Sequence, residues 1–327
     1  MSDIGIFWIR DDFRIEDNPA LSFATQNHES VIALFIYNNK NFDNQTEAQK
    51  WWVSKSLEVF KADLSKYNIN LQIVKGDELD IFSKIKKIDN LAIYWNKVYE
   101  PDVIAKGKKI RDLFLKNEVN FKYFKGNILN EFQEVTKNDG TPFKVFTPFW
   151  RACLRRPDPQ MPLATPTLSP CPTPVQSETL NSWNLLPTEP NWAHGWEDLW
   201  CPGEDGAHAA LEQFLAHHVI DYGDGRDIPS ARSTSRLSPY LRFGNISPRQ
   251  VWHAAQASKV FEPEASSATD KFLSEVGWRE FCYHLLFHFP TMPDEAFNPK
   301  FSYFPWGTDQ QRLTAWQRGQ TGYPIVD

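Results

Sequence analysis

Thr234-Ser-Arg-Leu-Ser-Pro-Tyr-Leu-Arg-Phe-Gly244, followed about thirty residues later by Trp278-Arg279-Glu280-Phe281, is the stretch that decides how this chain is read. Thr234, Ser235 and Ser238 bring hydroxyls and backbone amides together where a helix is expected to begin, and a helix amino terminus attracts phosphate through its unpaired amides and dipole. Taken alone, the turn is more simply explained by Ser233 or Thr234 capping that helix. On the helix expected from about Ala265, Glu275, Trp278 and Arg279 stand at i, i+3 and i+4, so a carboxylate, an indole and a guanidinium share one face. By itself that face is explained by an ion pair beside a buried Trp.

Outward from this stretch the two halves of the chain differ. Gly206 to Leu215, Pro248 to Ala257 and Ala265 to Phe289 have helical periodicity, and no strand is expected among them. Upstream, Ile4 to Ile9, Val31 to Tyr37, Leu71 to Lys75, Leu91 to Trp95 and Phe121 to Lys125 read as strands. Glu47 to Lys66, Asp80 to Lys87 and Pro101 to Glu118 read as helices between them. Such alternation predicts an α/β fold, a doubly wound parallel sheet covered on both faces, followed by an all-helical domain. Asn18-Pro19 before Ala20-Leu21 is a helix start, with Asn18 as cap. From Pro157 to Pro174 seven prolines predict an extended connector.

The chain of 327 residues is 41% hydrophobic and 23% charged, a globular composition long enough for two domains with separate cores. Thirteen Trp and twenty-four Phe supply large cores, and such residues also serve as stacking platforms. No charged-then-apolar leader precedes Ile4 and no apolar run spans a bilayer, so a cytoplasmic location is expected and no membrane contact. Cys153, Cys171, Cys201 and Cys282 lack metal-ligand spacing and read as reduced thiols, supporting neither zinc nor iron-sulfur. A net charge of -6 argues against a generic nucleic-acid coat but permits a local basic groove. Residues 1 to 150 hold 18 Lys and 3 Arg, whereas 151 to 327 hold 3 Lys and 11 Arg, and Asn falls from 15 to 5. This shift suggests a mosaic gene with a seam near Arg151 to Pro159.

A doubly wound sheet invites a dinucleotide reading, but Arg10-Asp11-Asp12-Phe13-Arg14 after the first strand has no glycine turn for a pyrophosphate. That motif, with Asp17-Asn18-Pro19-Ala20-Leu21, instead resembles the amino-terminal signature of the DNA photolyase/cryptochrome family. Tyr94-Trp95-Asn96 with Tyr99-Glu100-Pro101 is similar to a second family motif. Gly140-Thr-Pro-Phe-Lys-Val-Phe-Thr-Pro-Phe-Trp150 is similar to a third. With the Thr234 to Gly244 stretch, the resemblance covers essentially the whole chain.

The resemblance implies an α/β antenna-type domain over 1–130, a connector over 131–200 and a helical FAD- and DNA-binding domain over 201–327. It assigns FAD to Tyr222, Thr234, Ser235, Leu237, Ser238, Phe272 and Arg279; at Phe272 some relatives carry Trp. It gives Glu275 a hydrogen bond to a pyrimidine dimer and Trp278 a stack against that dimer, both as catalytic and DNA-contacting residues. A lesion must leave the duplex stack to reach such a site, and photolyases are a known case of that flipping. Arg226 and Arg232 would meet DNA phosphates, although ordinary solvated arginines explain them equally well. Trp306 resembles the surface member of an electron-transfer tryptophan chain whose inner partners fall beyond Asp327.

The implied activity is that of a deoxyribodipyrimidine photo-lyase, a carbon-carbon lyase using blue light and reduced FAD to split cyclobutane dimers in DNA. Glu275 with Trp278 and the Gly322-Tyr-Pro-Ile-Val-Asp327 ending favour a class I cyclobutane-dimer enzyme over a (6-4) photolyase or an animal-type cryptochrome. The alternatives are a cryptochrome-type photoreceptor and a non-catalytic remnant. The ending resembles the opening of a further motif, so an incomplete flavin pocket with weak FAD binding and poor repair is expected. The antenna pigment, a folate, deazaflavin or flavin, stays open, because Glu100-Pro101-Asp102-Val103 does not reproduce the folate-contacting Asn-Glu pair. A monomer is the family expectation.

Overall fold

The computed structural model describes residues 4–38, 45–86, 90–166 and 177–327. Cys171, the connector from Thr167 to Pro174 and the expected helix end at Lys87 lie outside the described residues. Runs rich in Ile, Phe, Trp and Tyr form β1 (Ile4–Ile9), β2 (Ser30–Tyr37), β3 (Asn70–Lys75), β4 (Leu91–Asn96) and β5 (Asn120–Phe124). All pair in parallel in the order β3-β2-β1-β4-β5, with Phe7 opposite Ala33 on one side and Tyr94 on the other. The first strand is central, so the chain winds outward in both directions as expected.

Between the strands run α1 (Pro19–Asn27), α2 (Glu47–Lys66), α3 (Glu78–Ile85) and α4 (Pro101–Lys116). Successive strand side chains point to opposite faces. Ile6 and Trp8 therefore pack with Phe82 of α3 and Phe114 of α4, while Phe7 and Ile9 pack with Leu21 of α1 and Trp52 of α2. β2 and β4 are buried along their whole length, as parallel strands covered on both faces must be. Asn18 caps α1 by accepting a 3.1 Å hydrogen bond from the Leu21 amide.

The remaining helices of this part are α5 (Phe146–Leu154), α6 (Trp196–Leu199), α7 (Glu204–His217), α8 (Tyr222–Gly225), α9 (Ser238–Arg242), α10 (Pro248–Phe261) and α11 (Ser266–His288). Helix α10 runs on to Phe261 rather than ending at Ala257, because the stop is Pro263 and not a loss of apolar period. Among the described residues the buried apolar side chains form four clusters, and the largest is shared by sheet and helices. One cluster continues from Phe7 and Phe35 of the sheet through Trp52 to Tyr240, Val251 and Phe272 of the helices. Trp52 makes this join: its ring meets Tyr240 edge-on at 4.9 Å and its indole N–H donates to Asn245 Oδ1 at 3.0 Å.

The Arg10 to Asn18 motif is the polar half of the same joint. Arg14 is fully buried, and its guanidinium donates to the carbonyls of Asp17, Gly126 and Gly244 and to Asn127 Oδ1 at 2.8 to 3.2 Å. Asp17 accepts from Arg249 Nε at 3.0 Å, from the Ser247 hydroxyl and from the Leu163 amide at 2.9 Å. Leu163 lies in the described part of the connector, which is thus pinned to the loop between β1 and α1 although it has no regular structure.

The chain divides into two units, Met1–His288 and Phe289–Asp327. The second holds a 3-10 turn over Pro299–Tyr303 and α12 (Gln310–Gln317), which Asp309 caps by accepting from the amides of Gln311 and Arg312. Its last residue, Asp327, accepts from the Thr321 hydroxyl and from the amides of Thr321 and Gly322, closing the Gly-Tyr-Pro-Ile-Val-Asp stretch into a loop. No described helix is long and apolar enough to cross a membrane.

Candidate functional site

A groove of about 650 Å³ opens between α8, the turn leading into α9, and one face of α11. Tyr222, Thr234, Ser235, Leu237, Ser238, Phe272, Glu275 and Arg279 all line it, so every residue assigned to the cofactor meets in one place together with the carboxylate. Helical period does this for α11, where Phe272, Glu275, Val276, Arg279 and Tyr283 recur at three- and four-residue steps.

The helix-capping explanation of the turn fails. The capping position of α9 is Leu237, in helical conformation and without a side-chain cap bond, while Ser233 is buried against Gly225. Thr234 and Ser238 are exposed at the groove, and Ser235 Oγ makes only a 3.4 Å contact from the Leu237 amide. Three hydroxyls therefore face the groove with little internal work. Helix α9 is five residues long, so the hydroxyls, not its dipole, are the main polar feature of this wall.

Arg279 donates to the carbonyls of Asn127 at 2.8 Å and Leu241 at 3.3 Å, which fixes its guanidinium at the groove wall. Phe272 is buried against Phe214 and Tyr222, with ring centroids 4.7 and 5.7 Å away. Arg226 does not extend freely to solvent: it forms an ion pair with Glu275, and its guanidinium also lies 5.5 Å from the Tyr222 ring centroid. That bond to Glu275 pushes the Arg226 pKa up, and burial raises that of Tyr222. Arg232 is exposed and is not part of the groove wall.

Trp278 is 43% exposed and stands on α11 beside the groove rather than in its wall. One face of its indole is covered by Phe146, whose ring lies parallel at 3.8 Å between centroids and 10° between planes. Trp306 belongs to the second unit, where it is exposed, donates to the Phe301 carbonyl at 3.0 Å and packs on Phe304.

Sequence reasoning missed Arg236, Leu241, Arg242, Val276 and Tyr283, all of which line the groove. Tyr283 is one turn past Arg279, so the period that selected Phe272 and Glu275 also marks it. Arg236 sits inside the quoted turn at φ +54°, a left-handed value uncommon for a side-chain-bearing residue, with its guanidinium 4.2 Å from the Trp200 ring centroid. Arg242 is committed to Asp11 at 2.6 Å, which pushes its pKa up. A second polar cluster, Glu16, Glu204 and His208, brings its ligand-type atoms within 4.8 Å, but Glu204 already accepts from the amides of Ile15 and Glu16.

The donor set suits FAD. Hydroxyls and an arginine answer a diphosphate, a fixed guanidinium and buried aromatic rings answer a flavin ring, and the volume falls in the range of ligand sites.

Comparison with known proteins agrees. Residues 5–170 match the family model for DNA photolyase, and residues 272–327 match that for the FAD binding domain of DNA photolyase. A deoxyribodipyrimidine photo-lyase of Agrobacterium fabrum is 38% identical over 98% of this chain and 67% of its own length. Cryptochrome-2 of Arabidopsis thaliana is 29% identical over 98% of this chain and 55% of its own. The crystal structure of a bacterial class III photolyase from Agrobacterium tumefaciens superposes with a TM-score of 0.94 at 36% identity, over 100% of this chain and 67% of that one. The chain thus spans about two thirds of the photolyases it matches here and about half of the cryptochrome. By its sheet and these likenesses, the chain belongs to the DNA photolyase/cryptochrome family, in which it stands with the FAD-dependent enzymes of light-driven DNA repair.

Proposed function

We propose that this chain takes part in the light-driven splitting of cyclobutane pyrimidine dimers in DNA, with FAD held in the groove between the Thr234–Ser238 turn and α11. The observation that carries the proposal is the convergence on that groove of the turn hydroxyls, Arg279 and Glu275. Reduced FAD, when bound, supplies the photoexcited electron. Thr234, Ser235 and Ser238 hold its diphosphate and ribityl oxygens, and Tyr222, Leu237 and Phe272 line its apolar side. Arg279, fixed by two backbone carbonyls, presents its positive charge to the flavin.

Glu275 lies within the same wall, ion-paired with Arg226; released from that pair and in its carboxylic-acid form, it would donate a hydrogen bond to the dimer carbonyl on which charge develops. Trp278 offers the open face of its indole to the extruded pair. Arg226 and Arg232 would contact DNA phosphates, Arg226 exchanging Glu275 for phosphate as DNA arrives. We further propose that Trp306 acts as a surface electron donor, that the chain is a cytoplasmic monomer and that domain limits near 130 and 200 separate antenna, connector and flavin regions. The likeness to the Agrobacterium enzyme favours class III over the class I expected from Glu275 and Trp278.

The test is a light-dependent repair assay on an oligonucleotide carrying one thymine dimer. Glu275→Ala is expected to lower repair about a hundredfold with FAD still bound. Flavin binding without repair by the unaltered chain would favour the cryptochrome-type reading, and neither would favour a non-catalytic remnant.

A further inference from the structure

Helix α5 presents Phe146, Phe149, Trp150 and Cys153 along one stripe to Gly277, Phe281 and His284 of α11. At the buried end Phe149 meets Phe281 at 5.2 Å and anchors the pair of helices. In the middle, Gly277 lets them close up: a Cβ there would stand 2.6 Å from Trp150 Cε3. At the open end, Phe146 lies under Trp278.

The Phe146–Trp278 contact differs from ordinary core packing. Aromatic pairs left to themselves prefer offset or edge-on arrangements with centroids roughly 4.5 to 7 Å apart. Here they are 3.8 Å apart with planes at 10°, a parallel stack closer than that range, held between the two helices. Trp150 continues the pile, parallel to Phe146 within 12° at 6.3 Å, and Phe281 stands edge-on to both Phe146 and Trp278 at 5.9 Å. The indole is thus clamped on one face and one edge while it remains 43% exposed.

We infer that Phe146 is a positioning residue that sets the plane of Trp278 for stacking on an extruded pyrimidine pair; this rests on the function proposed above. A preset indole gives up its side-chain freedom before the lesion arrives, so the lesion meets a flat surface already at the right tilt. The stack should act on lesion binding and leave contacts with undamaged duplex untouched.

Binding of dimer-containing and undamaged oligonucleotides is measured in the dark on the FAD-loaded protein for wild type, Phe146→Ala, Phe146→Leu, Phe146→Tyr, Trp278→Ala and the double variant Phe146→Ala/Trp278→Ala. Phe146→Ala is expected to weaken dimer binding about three- to tenfold, with undamaged DNA unchanged. Phe146→Leu, which fills much of the same space without a flat ring, should lose part of this discrimination, and Phe146→Tyr should restore it. The double variant should be no worse than Trp278→Ala alone. Additive effects, or equal losses on undamaged DNA, overturn the assignment and leave Phe146 as packing only. If Trp278→Ala itself leaves dimer binding unchanged, the lesion-stacking role of Trp278 fails and the positioning role fails with it.

Discussion

Glu280 stands next to Arg279 in the same Trp-Arg-Glu-Phe run and has a different task. It is fully buried, accepts from the Leu129 and Asn130 amides at 2.8 and 3.2 Å, and stands 3.6 Å from Arg279. Desolvation pushes its pKa up from an ordinary 4.5 to about 7, outweighing the Arg279 charge and the two amides. The folded state therefore holds a proton on Glu280 that the unfolded state releases between pH 4.5 and 7. The stability this gives is complete below pH 4.5 and is lost as pH rises through 7. Glu280→Gln, which cannot ionise, should flatten the loss of stability between pH 5 and pH 8 by about 3 kcal/mol in urea unfolding. An unchanged decline would contradict this. His284 acts with the opposite sign: burial lowers its pKa to about 4, so its contribution is lost as pH falls from 6.5 to 4. Helical phase, legible in the sequence, directs Glu275 to the groove, whereas the burial of Glu280 against the Leu129 and Asn130 amides is set by a loop remote in the chain.

At the scale of elements, Gly244 shows what a motif can hide. In sequence it closes the Thr234 to Gly244 stretch and reads as part of a phosphate turn. In the fold it has φ +64°, and an added Cβ would meet Asp11 O at 2.3 Å and Asp12 Cα at 2.6 Å. Its place is the joint between sheet and helices, where Phe13 N donates to Phe243 O at 3.1 Å. Gly244→Ala should cost at least about 3 kcal/mol, combining left-handed strain with a backbone clash. Gly223→Ala, with nothing within 4 Å, should stay near neutral; equal midpoints for the two variants in urea would refute the argument. Strand and helix periods were legible because they are local: β1 (Ile4–Ile9) and α2 (Glu47–Lys66) end where their patterns end. The use of Arg10 to Asn18 as a buried clasp was not, because its partners Gly126, Gly244 and Arg249 are remote in the chain.

At the scale of the molecule, one cluster joins the sheet to the helices as far as Val276 of α11, and the composition change near Arg151 falls inside α5, whose apolar stripe runs through it unbroken. The groove therefore rests on a frame that the α/β part helps to hold: Arg279 is fixed by the Asn127 carbonyl, Arg242 by Asp11 and the α9 region by Trp52. The central claim is that this groove, built on the Thr234–Ser238 turn, binds FAD. The most direct measurement is the dissociation constant for FAD, read from flavin fluorescence, for wild type and for Thr234→Ala/Ser235→Ala/Ser238→Ala. The account predicts saturable binding by wild type and binding at least about tenfold weaker in the variant, since three hydroxyls facing a diphosphate are lost. Equal affinity in the two proteins, or no saturable binding by wild type, would contradict it.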